Sequence, residues 1–387
     1  MDMSTAIERE AASTLPVYPQ LPFVPVDSEG CHIITADGRR ILDLYGGHAV
    51  AALGYKHPRL TAAVAEQTSN LVFQSNAVAL DVRALAAEKL TSIAPANLTR
   101  AFFVNSGAEA NENALRIAFL ATGRSKVVAV EHGFHGRTAA AGAVTWKSRD
   151  SWYAFPSLPF EVEFIPRDDI DAAKNMIDSD TAAVIFEPVQ GVAGAYDLDP
   201  AFVQVLRDES SKHGALLIAD EVQTGMGRSG NYFAVQGLGI EPDVLTAAKS
   251  LGGGIPCGAL LVSDPVAATV KTGQLGSTFG GCPIAAAAIV AVIETIEEET
   301  LLHNVRELES MVRQQCVGGA VTSVQGGGFL LGLVCDRPAV DVQKFLLQHD
   351  ILTGTSADRH VLRLLPPLVL EKQHVAQLVS ALRLMDD

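Results

Sequence analysis

The feature that most constrains this chain is a series of short, continuously apolar runs between about residues 100 and 265, separated by longer stretches with helical spacing. The runs are AFFV (101–104), KVVAV (126–130), TAAVIF (181–186), GALLIAD (214–220), DVLTAA (243–248) and GALLV (258–262). A strand with one wet face alternates apolar and polar residues. A run that is apolar throughout predicts a strand covered on both faces, hence a parallel sheet between helical layers. Two intervening segments, GAEANENALRIAFLATG (107–123) and PAFVQVLRDESSKHG (200–214), read as helices closed by a terminal glycine. Ligands in such sheets bind beyond the carboxyl ends of the strands, so chemistry is expected just after each run.

After Gly281 the pattern changes. A long helix, PIAAAAIVAVIETIEEE, is followed by the strands GGFLLGLV and HVLRLL and by an amphipathic helix from Glu371, which together predict a smaller α+β unit. The first 55 residues hold a hairpin, HIITADGRRILDL, with Asp37-Gly38 as its turn. They are too short for a core of their own and are expected to pack with the small unit. The division is therefore 1–55, 56–281 and 282–387.

Composition removes several classes. With 29 Lys plus Arg against 44 Asp plus Glu the net charge is −15, and no basic run is present, so neither nucleic acid nor an anionic membrane is an expected partner. The longest nearly unbroken apolar run, Ile284 to Ile293, is about half of the roughly 20 residues that a spanning helix needs. The start, MDMSTAIEREAAS, does not resemble a signal or transit peptide, so a cytoplasmic location is expected. Five scattered cysteines (Cys31, Cys257, Cys282, Cys316, Cys335) suit neither a disulfide framework nor a zinc site, and no metal is expected.

Four segments at predicted strand ends carry chemistry. Asn105-Ser106-Gly107-Ala108-Glu109 opens a helix; it reads as a phosphate cradle or as an ordinary turn with Ser106 as N-cap. Phe134-His135-Gly136-Arg137 offers a stacking ring and a cation, although Arg137 also suits a surface ion pair; His132 and His135 read as structural rather than metal-binding. Asp220 ends an apolar run and either faces a cation or caps a neighbouring turn. Lys249 follows the next run and precedes three glycines, a setting for Schiff-base chemistry. Gly225-Met226-Gly227-Arg228-Ser229-Gly230 matches a dinucleotide fingerprint by pattern only, because no βαβ unit surrounds it.

Taken jointly, LDLYGGHAVAALGYKHP, SGAEANE, FHGRT, EPVQG, DEVQTGMGR, AAKSLGGG, STFGG and VLRLLPPL resemble the class III aminotransferases of the pyridoxal-phosphate fold type I, and within them the branch acting on acetylated ornithine. The resemblance covers most of the chain. It implies an α/β large domain with a mostly parallel seven-stranded sheet plus a smaller α+β domain, and pyridoxal 5'-phosphate as cofactor. Lys249 would carry the cofactor and move the proton, with Asp220 holding the pyridine nitrogen protonated. Ser106, Gly107 and Ala108 would bind the phosphate; Phe134, Glu221, Val222 and Gln223 would contact the ring and its oxygen. Thr278 would reach the phosphate of the other subunit, which makes the enzyme a homodimer with shared sites. Arg137, Ser277 and Arg363 would bind substrate.

The reaction so implied moves the terminal amine of N-acetylornithine to 2-oxoglutarate, giving N-acetylglutamate 5-semialdehyde and glutamate. Other ω-amino donors (ornithine, 4-aminobutyrate, a carrier-linked lysine precursor), a racemase or aminomutase, or a cofactor-free scaffold are the competing readings. Two departures stand out: Val192 where the family has the glutamate that masks Arg363, and Cys282 where relatives carry asparagine.

Overall fold

The computed structural model describes residues 3–385. Its largest sheet has seven strands in the order Leu98–Val104, Gly258–Ser263, Val244–Ala247, Leu216–Asp220, Thr181–Phe186, Lys126–Val130 and Glu161–Ile165. The last five of these pair in parallel, while Gly258–Ser263 runs antiparallel to both its neighbours. Every residue of Lys126–Val130 and Thr181–Phe186 is buried, as two-sided coverage requires.

Two details differ from the expectation of parallel runs throughout. The run GALLV is reversed, because only residues 248–257 connect it to the preceding strand and a parallel crossover needs about a dozen or more. The edge strand Glu161–Ile165 has no continuous apolar run, because one face carries Glu161 and Glu163 and most of it is only partly covered.

The helices form where their caps fall. Ser106 Oγ accepts from Glu109 N at 3.2 Å to start the helix Gly107–Thr122, and Gly123 ends it in the left-handed region (φ 70°). Asp199 accepts from Ala201 N at 2.7 Å to start Pro200–His213, with Pro200 in the first turn. The helix Pro283–Glu298 is buried along most of its length and packs on the helices Pro58–Asn70 and Asp81–Ser92.

A second sheet joins Val321–Gly327, Leu330–Cys335, Val361–Leu364 and Gly354–Thr355. A third joins the antiparallel strands Pro25–Glu29, His32–Thr35 and Arg40–Asp43 to Ile351–Leu352, which runs parallel to Arg40–Asp43. Residues near the two ends of the chain thus share one sheet. The glycine-rich segment 225–230 is a turn and opens no helix, unlike a dinucleotide fingerprint, and its fully buried Arg228 donates through one terminal nitrogen to the carbonyls of Phe329 and Pro366.

Four consecutive residues have left-handed backbone. Gly46, Gly47, His48 and Ala49 all have φ between 55° and 65°. For His48 and Ala49 this costs about 1–2 kcal/mol each. A side chain at Gly46 would meet the Leu365 carbonyl, and Ser250 Oγ pins the segment by donating to Ala49 O at 2.8 Å.

Candidate active site

A cavity of about 610 Å³ opens at the carboxyl ends of the large sheet. Its lining draws on Asn105 to Ala108, Phe134 to Arg137, Glu187, Asp220, Val222, Gln223 and Lys249, each of which lies at or just after a strand end.

Asp220 is the best-fixed of these groups. It is the last residue of its strand and 3% exposed. Its Oδ2 accepts from Asn111 Nδ2 and from His135 Nδ1, each at 2.7 Å, and its Oδ1 accepts from Val222 N at 3.0 Å. The carboxylate can only accept, so Nδ1 of His135 carries the hydrogen. Asn111 is itself oriented: Thr246 Oγ1 donates to its Oδ1 at 2.7 Å, and its Nδ2 also donates to His135 O at 2.8 Å.

Glu187, buried on the cavity wall, accepts from Phe134 N at 2.8 Å. Burial pushes its pKa up to about 7, with His135 and the Phe134 amide opposing and Asp220 reinforcing the shift. Lys249 begins a short 3-10 turn with left-handed backbone (φ 46°). Burial draws its ammonium below the usual lysine value, and the charges of Asp220 and Glu187 push back.

At one end, Gly107 and Ala108 open the helix, where first-turn amides have no intrahelical acceptor and the dipole favours an anion. A side chain at Gly107 would collide with Val222, so bare backbone is required there. Phe134 lies half-buried with Arg137 Cζ 5.4 Å from its ring centroid. Gln223 is buried, and its Oε1 has no hydrogen-bond partner.

The structure therefore brings together Ser106, Gly107, Ala108, Phe134, Arg137, Asp220, Val222, Gln223 and Lys249. Glu221 lies apart from them. Its carboxylate accepts from Ala234 N at 3.0 Å, Val235 N at 2.8 Å and the Thr224 hydroxyl, capping the helix Ala234–Leu238. Ser277 is outside the lining too; its Oγ accepts from Asn105 Nδ2 at 3.1 Å and from Gly280 N at 3.1 Å. Thr278 is exposed and also outside the lining. Arg363 is buried behind the cavity against Tyr45.

Burial pushes the Glu221 pKa up to about 7 despite those hydrogen bonds. A carboxyl that binds its proton more tightly in the folded state loses stability as pH rises from about 4.5, the unfolded value, towards about 7. Urea unfolding of wild type and Glu221→Gln at pH 5 and pH 8 checks this. The stability difference should move in favour of the variant by up to about 3 kcal/mol between the two conditions. A difference that does not change with pH would contradict the assignment.

Several functional residues escaped the sequence reading. Asn111 and Thr246 are polar positions on an otherwise apolar helix face and strand, which was the available signal. His135 was read as structural, and its contact with Asp220 is a feature of packing alone.

A helix start, a buried carboxylate and a lysine at strand ends around one cavity are the groups that a cofactor-using enzyme places together. The family model for class III aminotransferases ("Aminotransferase class-III") matches residues 16–385, and the chain belongs to that family; it is a transaminase. The chain is 41% identical to the acetylornithine aminotransferase of Corynebacterium efficiens over 378 residues, covering 95% of this chain and 93% of that one. Identity to the acetylornithine aminotransferase of Methanosarcina mazei is 37% over 381 residues, covering 98% and 95%. Among solved structures, the ornithine aminotransferase of Toxoplasma gondii, with PLP at partial occupancy in its active site, superposes with a TM-score of 0.93 at 26% identity, covering all of this chain and 94% of that one.

Proposed function

We propose that this chain transfers the terminal amine of N-acetylornithine to 2-oxoglutarate, using pyridoxal 5'-phosphate. The observation that carries the reading is the shared cavity of Lys249 and the fixed Asp220, with a helix start at one end. The names of the two relatives, both acetylornithine aminotransferases, support the donor.

The residues present fit the cofactor. Asp220 supplies a buried anion for the pyridine nitrogen, the Gly107–Ala108 amides an anion seat, Phe134 a ring wall, and Gln223 a buried amide lacking a partner at Oε1. When bound, the cofactor supplies an electron sink for the carbon that bears the amine. Lys249 Nζ takes the proton from that carbon and delivers it to the cofactor's carbonyl carbon, and its lowered pKa favours the first of these moves. Asn111 and His135 hold Asp220 against rotation. Arg137 binds the donor's carboxylate and Arg363 that of the dicarboxylic acid, by paired N–H donors.

A second copy completes the site in this reading, with Thr278 reaching the partner's phosphate seat. Exposed apolar side chains near that loop support it: the rings of Phe73 and Phe279 meet at a tilt with centroids 5.2 Å apart, beside exposed Leu71 and Val72. The proposed division remains a large domain over 56–281 and a small one over 282–387, with 1–55 packed on the latter. We place the reaction in the cytoplasm, which suits five unpaired cysteines; no helix among the described residues is long and apolar enough to cross a membrane.

The test is a visible spectrum of the purified protein. Its cofactor band should bleach on adding N-acetylornithine and return on adding 2-oxoglutarate. A band that only glutamate bleaches would retain the transaminase and remove the donor. Arg137→Ala should raise KM for N-acetylornithine by roughly a hundredfold, the worth of a charge-assisted pair, and KM for glutamate far less. Equal increases in steady-state kinetics would reassign Arg137.

A further inference from the structure

Arg363 lies on the strand Val361–Leu364 and is 7% exposed. Its Nε donates to Thr355 O at 2.7 Å, one terminal nitrogen to Gly191 O at 3.2 Å, and the other to the Tyr45 hydroxyl at 2.8 Å. All three partners are neutral. Residue 192, next to the carbonyl that Arg363 holds, is a half-buried valine. A buried guanidinium with only neutral acceptors in contact is under-compensated, and a carboxylate brought to it would gain a strong, charge-assisted pair.

Tyr45 is itself held in place. Its oxygen lies 2.9 Å from His48 Nδ1, and the two rings meet edge to face at 4.7 Å. Because the oxygen accepts from Arg363, its own hydrogen is free to donate to Nδ1 of a neutral imidazole. Burial lowers the His48 pKa, and the charges of Arg363, Lys249 and Arg137 lower it further. The phenol and imidazole thus stand among the three cations of the proposed reaction. The left-handed turn that presents them is tied by Ser250, the neighbour of Lys249, through Ala49 O.

We propose that the Tyr45 hydroxyl, oriented by His48, is the displaceable cover of Arg363. A dicarboxylic acceptor displaces the phenol and takes the guanidinium nitrogen it held, whereas the ω-amino donor leaves the cover in place. This rests on the transaminase reading with Arg363 as a carboxylate binder. A neutral cover yields to a carboxylate more readily than an acidic one would, so the chain should bind simple dicarboxylates that have neither an amine nor a keto group.

Calorimetric titration of the holoenzyme with glutarate tests the cover. Tyr45→Phe keeps the ring and removes the competing hydroxyl, so glutarate should bind roughly five- to tenfold tighter, the worth of one hydrogen bond to a charged group. A purely structural tyrosine would give unchanged or weaker binding, and either result overturns the cover. His48→Ala retains the hydroxyl and removes its acceptor, and should tighten glutarate in the same direction by a smaller factor; this variant decides the matter if Tyr45→Phe does not fold. Wild type that binds no glutarate overturns the role of Arg363 and the cover together. Amine transfer from N-acetylornithine to 2-oxoglutarate is assayed in parallel on wild type: its absence removes the donor reading, while tighter glutarate binding in Tyr45→Phe still supports the cover.

Discussion

Lys249→Ala is expected to lower kcat by at least about ten-thousandfold, the combined loss of a nucleophile and of a positioned proton carrier. Lys249 is the one lysine in the cavity lining. Its backbone is left-handed, and the turn that carries it is locked by the Ser250 bond to Ala49 O and by the burial of Leu251. The amine therefore reaches the cavity from a rigid support. Burial lowers its proton affinity, which favours the neutral amine needed for attack and for proton uptake. Alanine removes both functions and leaves Asp220, Asn111 and His135 bonded to one another, so cofactor should still bind, without a covalent link. Borohydride reduction followed by peptide mass analysis checks this directly. The cofactor should be fixed on the Lys249 peptide in wild type and on no peptide in the variant. Turnover above one part in about a hundred of wild type would end the assignment.

Asp220→Asn is expected to cost on the order of a thousandfold in kcat while the protein stays folded. Asparagine keeps the shape of the side chain and part of its hydrogen bonding, but not the charge. In wild type three donors converge on the carboxylate, two of them from buried side chains. Those donors fix the carboxylate in place, and a buried anion is what keeps a facing ring nitrogen protonated. The amide nitrogen would face either Asn111 and His135, which share one carboxylate oxygen, or the Val222 amide at the other, and in each case a donor loses its acceptor, adding about 1–3 kcal/mol of instability. Two measurements separate the effects: single-turnover rates with saturating cofactor, and thermal unfolding. A rate within tenfold of wild type, with normal cofactor binding, would show that Asp220 is a structural carboxylate and not the partner of the ring.

Much of this site is legible in the amino-acid sequence. Asp220, Lys249, Ser106 and Phe134 each end or follow an apolar run, and each sits at or just past the carboxyl end of a strand. Glu221 was misplaced for a local reason. It follows the last residue of the strand, where the chain turns and sends its side chain to the start of the helix at Ala234, and nothing in the DEVQ string distinguishes the two directions. The reversed strand Gly258–Ser263 was misread because an apolar run carries no direction; only the short connection before it does.

The pattern of apolar runs by itself determined the two-sided sheet, because burial period is a local property, and the long helical connections between runs determined the end of that sheet where chemistry gathers. Helix starts and stops at Ser106, Gly123, Asp199 and Gly214 were determined in the same way, by caps that act within one turn. The partners of the functional groups were decided only in three dimensions. Asn111 lies 109 residues from Asp220, and Tyr45 lies 318 residues from Arg363. Such pairs depend on how helices and sheets seat against one another and on which buried polar atoms are then left to satisfy, and no spacing along the chain encodes that.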